Sequence, residues 1–94
     1  MKYFKKSLGQ NFLTDKNIIK KILRMVKIKN ENIIEIGPGR GALTDEILKM
    51  SPKKLIIIEK DNSLAEELKL RYFVDKRVNI INRDILNLNF ENLL

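Results

Sequence analysis

Cysteine and histidine are both absent from this chain of 94 residues. Disulfides are therefore excluded, and neither zinc chemistry nor a nucleophilic thiol has a candidate ligand, so no metal is expected. The lack of cysteine fits a cytoplasmic protein. Proline is scarce as well, with Pro38 and Pro52 the only two. Apolar runs are short; the longest, such as Leu55 to Ile58, has four residues, far below the roughly 20 that a membrane span needs. The N-terminus is basic but has no apolar core behind it, so no secretion signal is read there. The length allows one small domain at most, with a marginal core. An apolar share of 44% is ordinary for a folded protein and argues against wholesale disorder.

Acidic residues are scarce in one region only. The net charge is +7, and residues 1–30 hold nine Lys or Arg against a single acid, Asp15. Residues 31–94 hold ten basic and eleven acidic groups. The excess thus sits in the first third. A basic arm beside a near-neutral domain suits a polyanion, most plausibly nucleic acid. The competing reading is compositional: Lys, Ile and Asn supply 38 of the 94 residues, and Lys far outnumbers Arg.

Along the chain, residues 1–14 read as an irregular basic lead-in with Gly9 as a flexible point. Thr14 or Asp15 can cap the helix that follows. From Lys16 to about Lys27 the apolar residues Ile18, Ile19, Ile22, Leu23 and Val26 form a helical stripe. Residues 29–32 make a turn, and Ile33–Ile36 a first strand. Leu43, Ile47 and Met50 mark a second helix that ends before Pro52. Lys54–Glu59 is a strand whose continuous apolar centre suits burial on both faces. Asn62 or Ser63 caps a helix carrying Leu64, Ala65 and Leu68, and Val78–Asn82 is a third strand. Ile85 to Leu94 has no firm assignment. The result is a helix followed by β-α-β-α-β. Right-handed crossovers place the three strands in the order 3-2-1. In a doubly wound sheet the first strand is central. Without further strands it would be an open edge, so the expectation is that the chain is the N-terminal part of a longer protein.

The chemistry concentrates at Ile33-Ile34-Glu35-Ile36-Gly37-Pro38-Gly39-Arg40-Gly41-Ala42-Leu43-Thr44. Strand, glycine turn and helix follow in the order by which doubly wound domains hold nucleotide-type cofactors. Gly37, Gly39 and Gly41 allow a tight turn and a close approach to a ligand, and the next helix offers free N–H groups. The glycines alone do not choose a cofactor, because Gly37-x-Gly39-x-x-Ala42 also satisfies the dinucleotide pattern. Glu59 ends the second strand, 22 residues after Gly37. A carboxylate there can accept hydrogen bonds from both ribose hydroxyls of an adenosine, and it suits NAD and S-adenosylmethionine equally. Asp84, after the third strand, suits a hydrogen bond from an adenine amino group, or the capping of a helix. Glu35 can help to hold an ammonium group if it reaches the cofactor end of the sheet. Otherwise it is a paired structural carboxylate.

Ser7-Leu8-Gly9-Gln10-Asn11-Phe12-Leu13, an amphipathic helix, and then Glu35-Ile36-Gly37-Pro38-Gly39-Arg40-Gly41-Ala42-Leu43-Thr44 together resemble the ribosomal RNA adenine N6-dimethyltransferase family. Ile58-Glu59-Lys60-Asp61 and Asp84 fall where that family has its next two cofactor motifs. Leu8-Gly9 before Gln10 is closer to the housekeeping small-subunit enzymes than to the macrolide-resistance methylases. The resemblance implies a partial Rossmann-like, α/β methyltransferase domain over residues 15–94, behind a basic arm at 1–14. It implies S-adenosylmethionine as cofactor. Asn11, Leu13 and Gly37 would stand at its methionine end, Glu59 at the ribose and Asp84 at the adenine, with Glu35, Gly39 and Gly41 in support. It implies adjacent adenosines near the 3′ end of small-subunit ribosomal RNA as substrate, the immature small subunit as partner, and a monomer in the full-length form. The basic lead-in would close over cofactor and target.

One part of the family pattern is missing. The catalytic Asn-(Leu/Ile)-Pro-(Tyr/Phe) segment after the fourth strand has no counterpart, since neither proline lies in such a context. The expectation is therefore that these residues carry no catalytic residue of that motif and none of the family's helical C-terminal domain. Two other readings compete. A nicotinamide-dependent oxidoreductase fragment explains the glycines and Glu59 but not Gln10-Asn11-Phe12-Leu13. A non-catalytic basic RNA-binding module explains the charge alone.

Overall fold

The computed structural model describes the backbone at 2–5 and 16, and residues 17–39 and 41–89 in full. Among the described residues, four parallel strands form one sheet: β1 (Lys2–Lys5), β2 (Asn32–Ile36), β3 (Lys54–Ile58) and β4 (Val78–Ile81), in the order β1-β2-β3-β4. Three helices alternate with them: α1 (Lys16–Arg24), α2 (Ala42–Leu48) and α3 (Asn62–Arg71). A 3₁₀ turn, Ile85–Asn87, follows β4.

Sequential parallel strands joined by crossovers of one hand place every connecting helix on the same side of the sheet. The core shows this. Ile19 and Leu23 of α1, Leu43 and Ile47 of α2 and Leu68 of α3 pack with Ile33, Leu55 and Ile57 of the sheet. The alternate strand positions Ile34, Ile56 and Ile58 form a second cluster on the other face, with Ile36, Ile81, Ile85 and Leu88 against it. Leu55 to Ile58 are all buried, as a strand covered on both faces requires.

The expected β2-β3-β4 neighbours and their helices are present, with β2 in register with β3 from Asn32↔Lys54 to Ile36↔Ile58. Three local expectations are corrected. The lead-in is not irregular throughout: Lys2–Lys5 is a strand, paired in parallel with β2 from Lys2↔Ile33 to Lys5↔Ile36. The edge of β2 is thereby covered. An unpaired edge on so buried a strand leaves a row of unsatisfied N–H and C=O groups, and β1 supplies their partners. Helix α1 stops at Arg24 rather than Lys27, where the Met25 and Val26 N–H groups bond three residues back, to Ile22 and Leu23. The cap of α3 is Asp61, not Asn62 or Ser63: its Oδ1 accepts from Leu64 N–H at 2.9 Å. The proposed caps Thr14 and Asp15, the Gly9 flexible point and the whole Ser7–Leu13 motif lie outside the described residues.

Side chains tie the layers together. Arg77, before β4, donates to Asp75 through Nε (3.0 Å) and Nη2 (2.7 Å), and through Nη1 to the Leu48 carbonyl at the end of α2 (3.0 Å). The Arg77 guanidinium holds the Asp75 carboxyl below its ordinary range.

Candidate functional site

Ligands of open parallel sheets sit beyond the carboxyl ends of the strands. Here those ends carry the glycine turn after β2, Glu59 after β3 and Asp84 after β4. Backbone and side-chain bonds stitch the three together. Gly37 N–H donates to the Ile58 carbonyl at 2.9 Å. Glu59 N–H donates to the Ile81 carbonyl at 3.0 Å. Asn82 Nδ2 then donates back to the Glu59 carbonyl at 2.9 Å.

The turn needs its glycines. Gly37, Gly39 and Gly41 have φ of 63°, 61° and 91°, a region that residues with a Cβ rarely occupy. Gly41 N–H closes the turn on the Pro38 carbonyl at 3.2 Å, and the Gly41 carbonyl then accepts from Asp45 N–H at 2.9 Å to open α2. Space is as restricted as torsion at this residue: a Cβ on Gly41 would lie 2.5 Å from the Tyr72 hydroxyl oxygen.

Glu59 is buried, with 6% of its surface exposed. Its Oε2 accepts from Asp61 N–H at 2.9 Å, which fixes the carboxylate beside the start of α3. Asp84 caps the 3₁₀ turn by accepting from Leu86 N–H through Oδ1 at 2.9 Å. Its half-buried carboxylate has a second oxygen, so the capping role and a ligand contact are compatible.

Glu35 stands apart from these groups. Its side chain shares the helix-covered face with Ile33, since β2 alternates, and is 1% exposed. Thr44 Oγ1 donates to its Oε1 at 2.5 Å. Burial pushes the Glu35 carboxyl up from 4.5 to about 7; the Thr44 bond works against that rise and the nearby Asp45 charge adds to it. Glu35 thus has the partner that a buried carboxylate needs.

Tyr72 and Asp45 were not legible as site residues. Tyr72 follows α3, is buried among the core residues, and donates to Asp45 Oδ1 at 2.6 Å. Burial first, and then the bond to Asp45, push its hydroxyl well above the ordinary tyrosine range, so it stays a donor. No local signal joins residues 27 apart in the chain; the sequence offers only a tyrosine that continues the buried stripe of Ala65 and Leu68. Asn11 and Leu13 lie outside the described residues, as does Arg40. Among the described residues there is no cluster of three or more groups able to hold a metal ion. No helix there is long and apolar enough to cross a membrane.

This arrangement has relatives. Ribosomal RNA small subunit methyltransferase A of Pelagibacter ubique is 51% identical over 85 residues, covering 90% of this chain and 32% of that protein. The protein of the same name from Mycoplasmopsis synoviae is 52% identical, again over 90% of this chain and 32% of its own length. The chain thus spans about a third of the length of the curated relatives it matches. Among solved structures, a dimethyladenosine transferase from Plasmodium falciparum superposes with a TM-score of 0.71 at 30% identity, over 81% of this chain and 28% of that one. The 23S rRNA methyltransferase ErmE gives 0.70 at 25% identity, over 80% and 31%. These likenesses assign the fold to the Rossmann-like methyltransferases. The family model of ribosomal RNA adenine dimethylase matches residues 1–94, and the chain belongs to that family.

Proposed function

We propose that this chain is the cofactor-binding part of an S-adenosylmethionine-dependent ribosomal RNA adenine N6-dimethyltransferase, acting on adjacent adenosines of small-subunit RNA. The observation that carries the reading is the bonding that links Gly37 to Ile58, and Glu59 to Ile81 and Asn82. It brings three acceptor-bearing or Cβ-free segments to one end of the sheet. Their chemistry fits an adenosyl ligand: a buried carboxylate for a diol, a second carboxylate for an exocyclic amine, and glycines that admit close approach.

In this reading Glu59 accepts from the ribose hydroxyls while Asp61 N–H keeps its carboxylate oriented. Asp84 accepts from the adenine amino group through the oxygen that Leu86 N–H leaves over. Gly37 lines the methionine end, with Asn11 and Leu13 assigned there by family resemblance. Glu35 acts behind the turn, tying β2 to α2 through Thr44. The bound group supplies an electrophilic methyl on a sulfonium. The protein's remaining task is orientation of a weak amine nucleophile, on an adenine turned out of its stack. The residues for that step belong to the Asn-(Leu/Ile)-Pro-(Tyr/Phe) segment, which this sequence lacks. The donor half of the site is therefore here and the acceptor half is not. The 94 residues alone are expected to bind the cofactor weakly and to transfer no methyl group. Small-subunit RNA as partner and the cytoplasm as place of action follow from the same reading.

Titration calorimetry with S-adenosylhomocysteine and with NAD tests the cofactor. Saturable binding of the first and none of the second is the expected result; the reverse overturns the reading. A radiolabelled methyl-transfer assay on unmethylated small-subunit RNA tests the missing half. Turnover by these residues alone would overturn that assignment.

A further inference from the structure

We infer that Tyr72 and Asp45 are positioning residues of the glycine turn, bracing its exit from the end of α3 and so setting the affinity for the adenosyl ligand; the second half of this inference rests on the proposed cofactor reading.

Besides the Thr44–Glu35 bond that spans it, the turn is held at its entry and at its exit by contacts of different kinds. At its entry, Gly37 N–H bonds to the Ile58 carbonyl, a backbone contact that any sequence can make. At its exit the hold depends on side chains. Tyr72 hydroxyl donates to Asp45 Oδ1 at 2.6 Å and lies 3.5 Å from the Gly41 carbonyl oxygen. Arg71 Nη2 donates to the other oxygen, Asp45 Oδ2, at 2.5 Å. The Arg71 guanidinium also lies 5.5 Å from the centre of the Tyr72 ring. Asp45 sits in the first turn of α2 and its own N–H bonds the Gly41 carbonyl at 2.9 Å. The carboxylate is thus held by α3 on one side, while its backbone holds the turn on the other.

The brace packs directly against the turn. The space beside Gly41 where a Cβ would stand is bounded by the Tyr72 hydroxyl at 2.5 Å and Arg71 Nη1 at 3.3 Å. Gly41 itself holds φ at 91° and gives α2 no side-chain cap. A helix start with no cap of its own, on a left-handed residue, is held by what packs on it. The Tyr72 end of the bond to Asp45 is buried, while the Asp45 carboxylate remains partly open to solvent.

The test combines amide hydrogen exchange with ligand affinity in the protein. Tyr72→Phe keeps the ring and deletes the donor. Exchange of the amides in 37–44 is expected to quicken about fivefold relative to those of Ile56 and Ile57 in the sheet, the size of one lost hydrogen bond. S-adenosylhomocysteine affinity is expected to fall by about the same factor. Asp45→Ala is expected to reproduce both effects. Asp45→Asn keeps an acceptor for Tyr72 and is expected to restore most of the protection. A uniform quickening across turn and sheet would make Tyr72 merely a stabilising residue and overturn the inference, as would unchanged exchange in 37–44. Quickened exchange with unchanged affinity would refute the link to the ligand. Failure of the unaltered protein to bind S-adenosylhomocysteine would overturn the cofactor reading, and the exchange comparison would still decide the brace.

Discussion

The Thr44 hydroxyl is bonded to the buried Glu35 carboxylate at 2.5 Å, joining the strand before the glycine turn to the helix after it. The pair straddles the turn, nine residues apart in the chain. A carboxylate in that position has no solvent to support its charge, and a single hydroxyl only partly replaces the lost hydration.

The pair makes stability depend on pH. The Glu35 carboxyl is raised from 4.5 to about 7 in the folded state. Between those values the folded form binds the proton and the unfolded form does not, so stability falls as pH rises through that window. The contribution is largest below 4.5 and is lost above about 7. Glu35→Gln keeps the shape and an acceptor for Thr44 without a charge. It is expected to raise stability above neutral pH, by about 1–3 kcal/mol, and to be near neutral at pH 5. Urea unfolding of both proteins at pH 5 and pH 8 checks this; an equal difference at the two pH values would contradict it.

Glu59 carries the sharpest ligand prediction. Glu59→Gln retains a carbonyl oxygen for Asp61 N–H but loses the charge and one acceptor. Affinity for S-adenosylhomocysteine is expected to drop roughly 10- to 100-fold, the range for hydrogen bonds to a charged group. Thermal stability should change little. Calorimetry beside a melting curve separates the two, and undiminished affinity would remove Glu59 from the site.

Gly41 tests the turn by sterics. Gly41→Ala combines a left-handed φ of 91° with a Cβ 2.5 Å from the Tyr72 oxygen. Strain and overlap together are expected to cost about 2–4 kcal/mol. Adding Tyr72→Phe removes the overlapping oxygen and should recover part of that loss. A double-mutant cycle in urea measures the coupling, and strict additivity would argue against the contact.

Capping of α3 separates neighbouring candidates. Asp61→Ala removes the acceptor of Leu64 N–H and is expected to cost about 1 kcal/mol. Ser63→Ala, inside the helix and exposed, should be neutral within about 0.5 kcal/mol. Chemical denaturation ranks the two, and the opposite order would move the cap.

Much of this molecule is written in short stretches of sequence. Leu55–Ile58 is a continuous apolar run and Ile33–Ile36 is broken only by Glu35, as suits buried strands, while the stripe of Ile19, Ile22 and Leu23 suits a helix packed on one side. Glycines at alternate positions after a strand mark a tight turn, and Glu59 follows at the spacing of the next strand end. Periodicity reads such features because each depends on residues within a few positions of one another. It left Asp61 unread, since three adjacent polar residues cap a helix about equally well until one of them meets the Leu64 N–H.

What local sequence determined, then, is the series of strand, turn and helix and the placing of the Glu59 and Asp84 carboxylates at strand ends. Tertiary structure decided the rest. Lys2–Lys5 has too short a pattern to declare itself a strand, and it becomes one because the buried edge of β2 offers unpaired backbone groups. Glu35 could have faced a ligand or a neighbour, and the pleat of β2 against α2 turned it to Thr44. Tyr72 meets Asp45 only because α2 and α3 lie on the same side of the sheet. These choices rest on groups brought together by packing, whose separation along the chain exceeds any local period, and burial makes each of them matter by removing the water that would otherwise serve as partner.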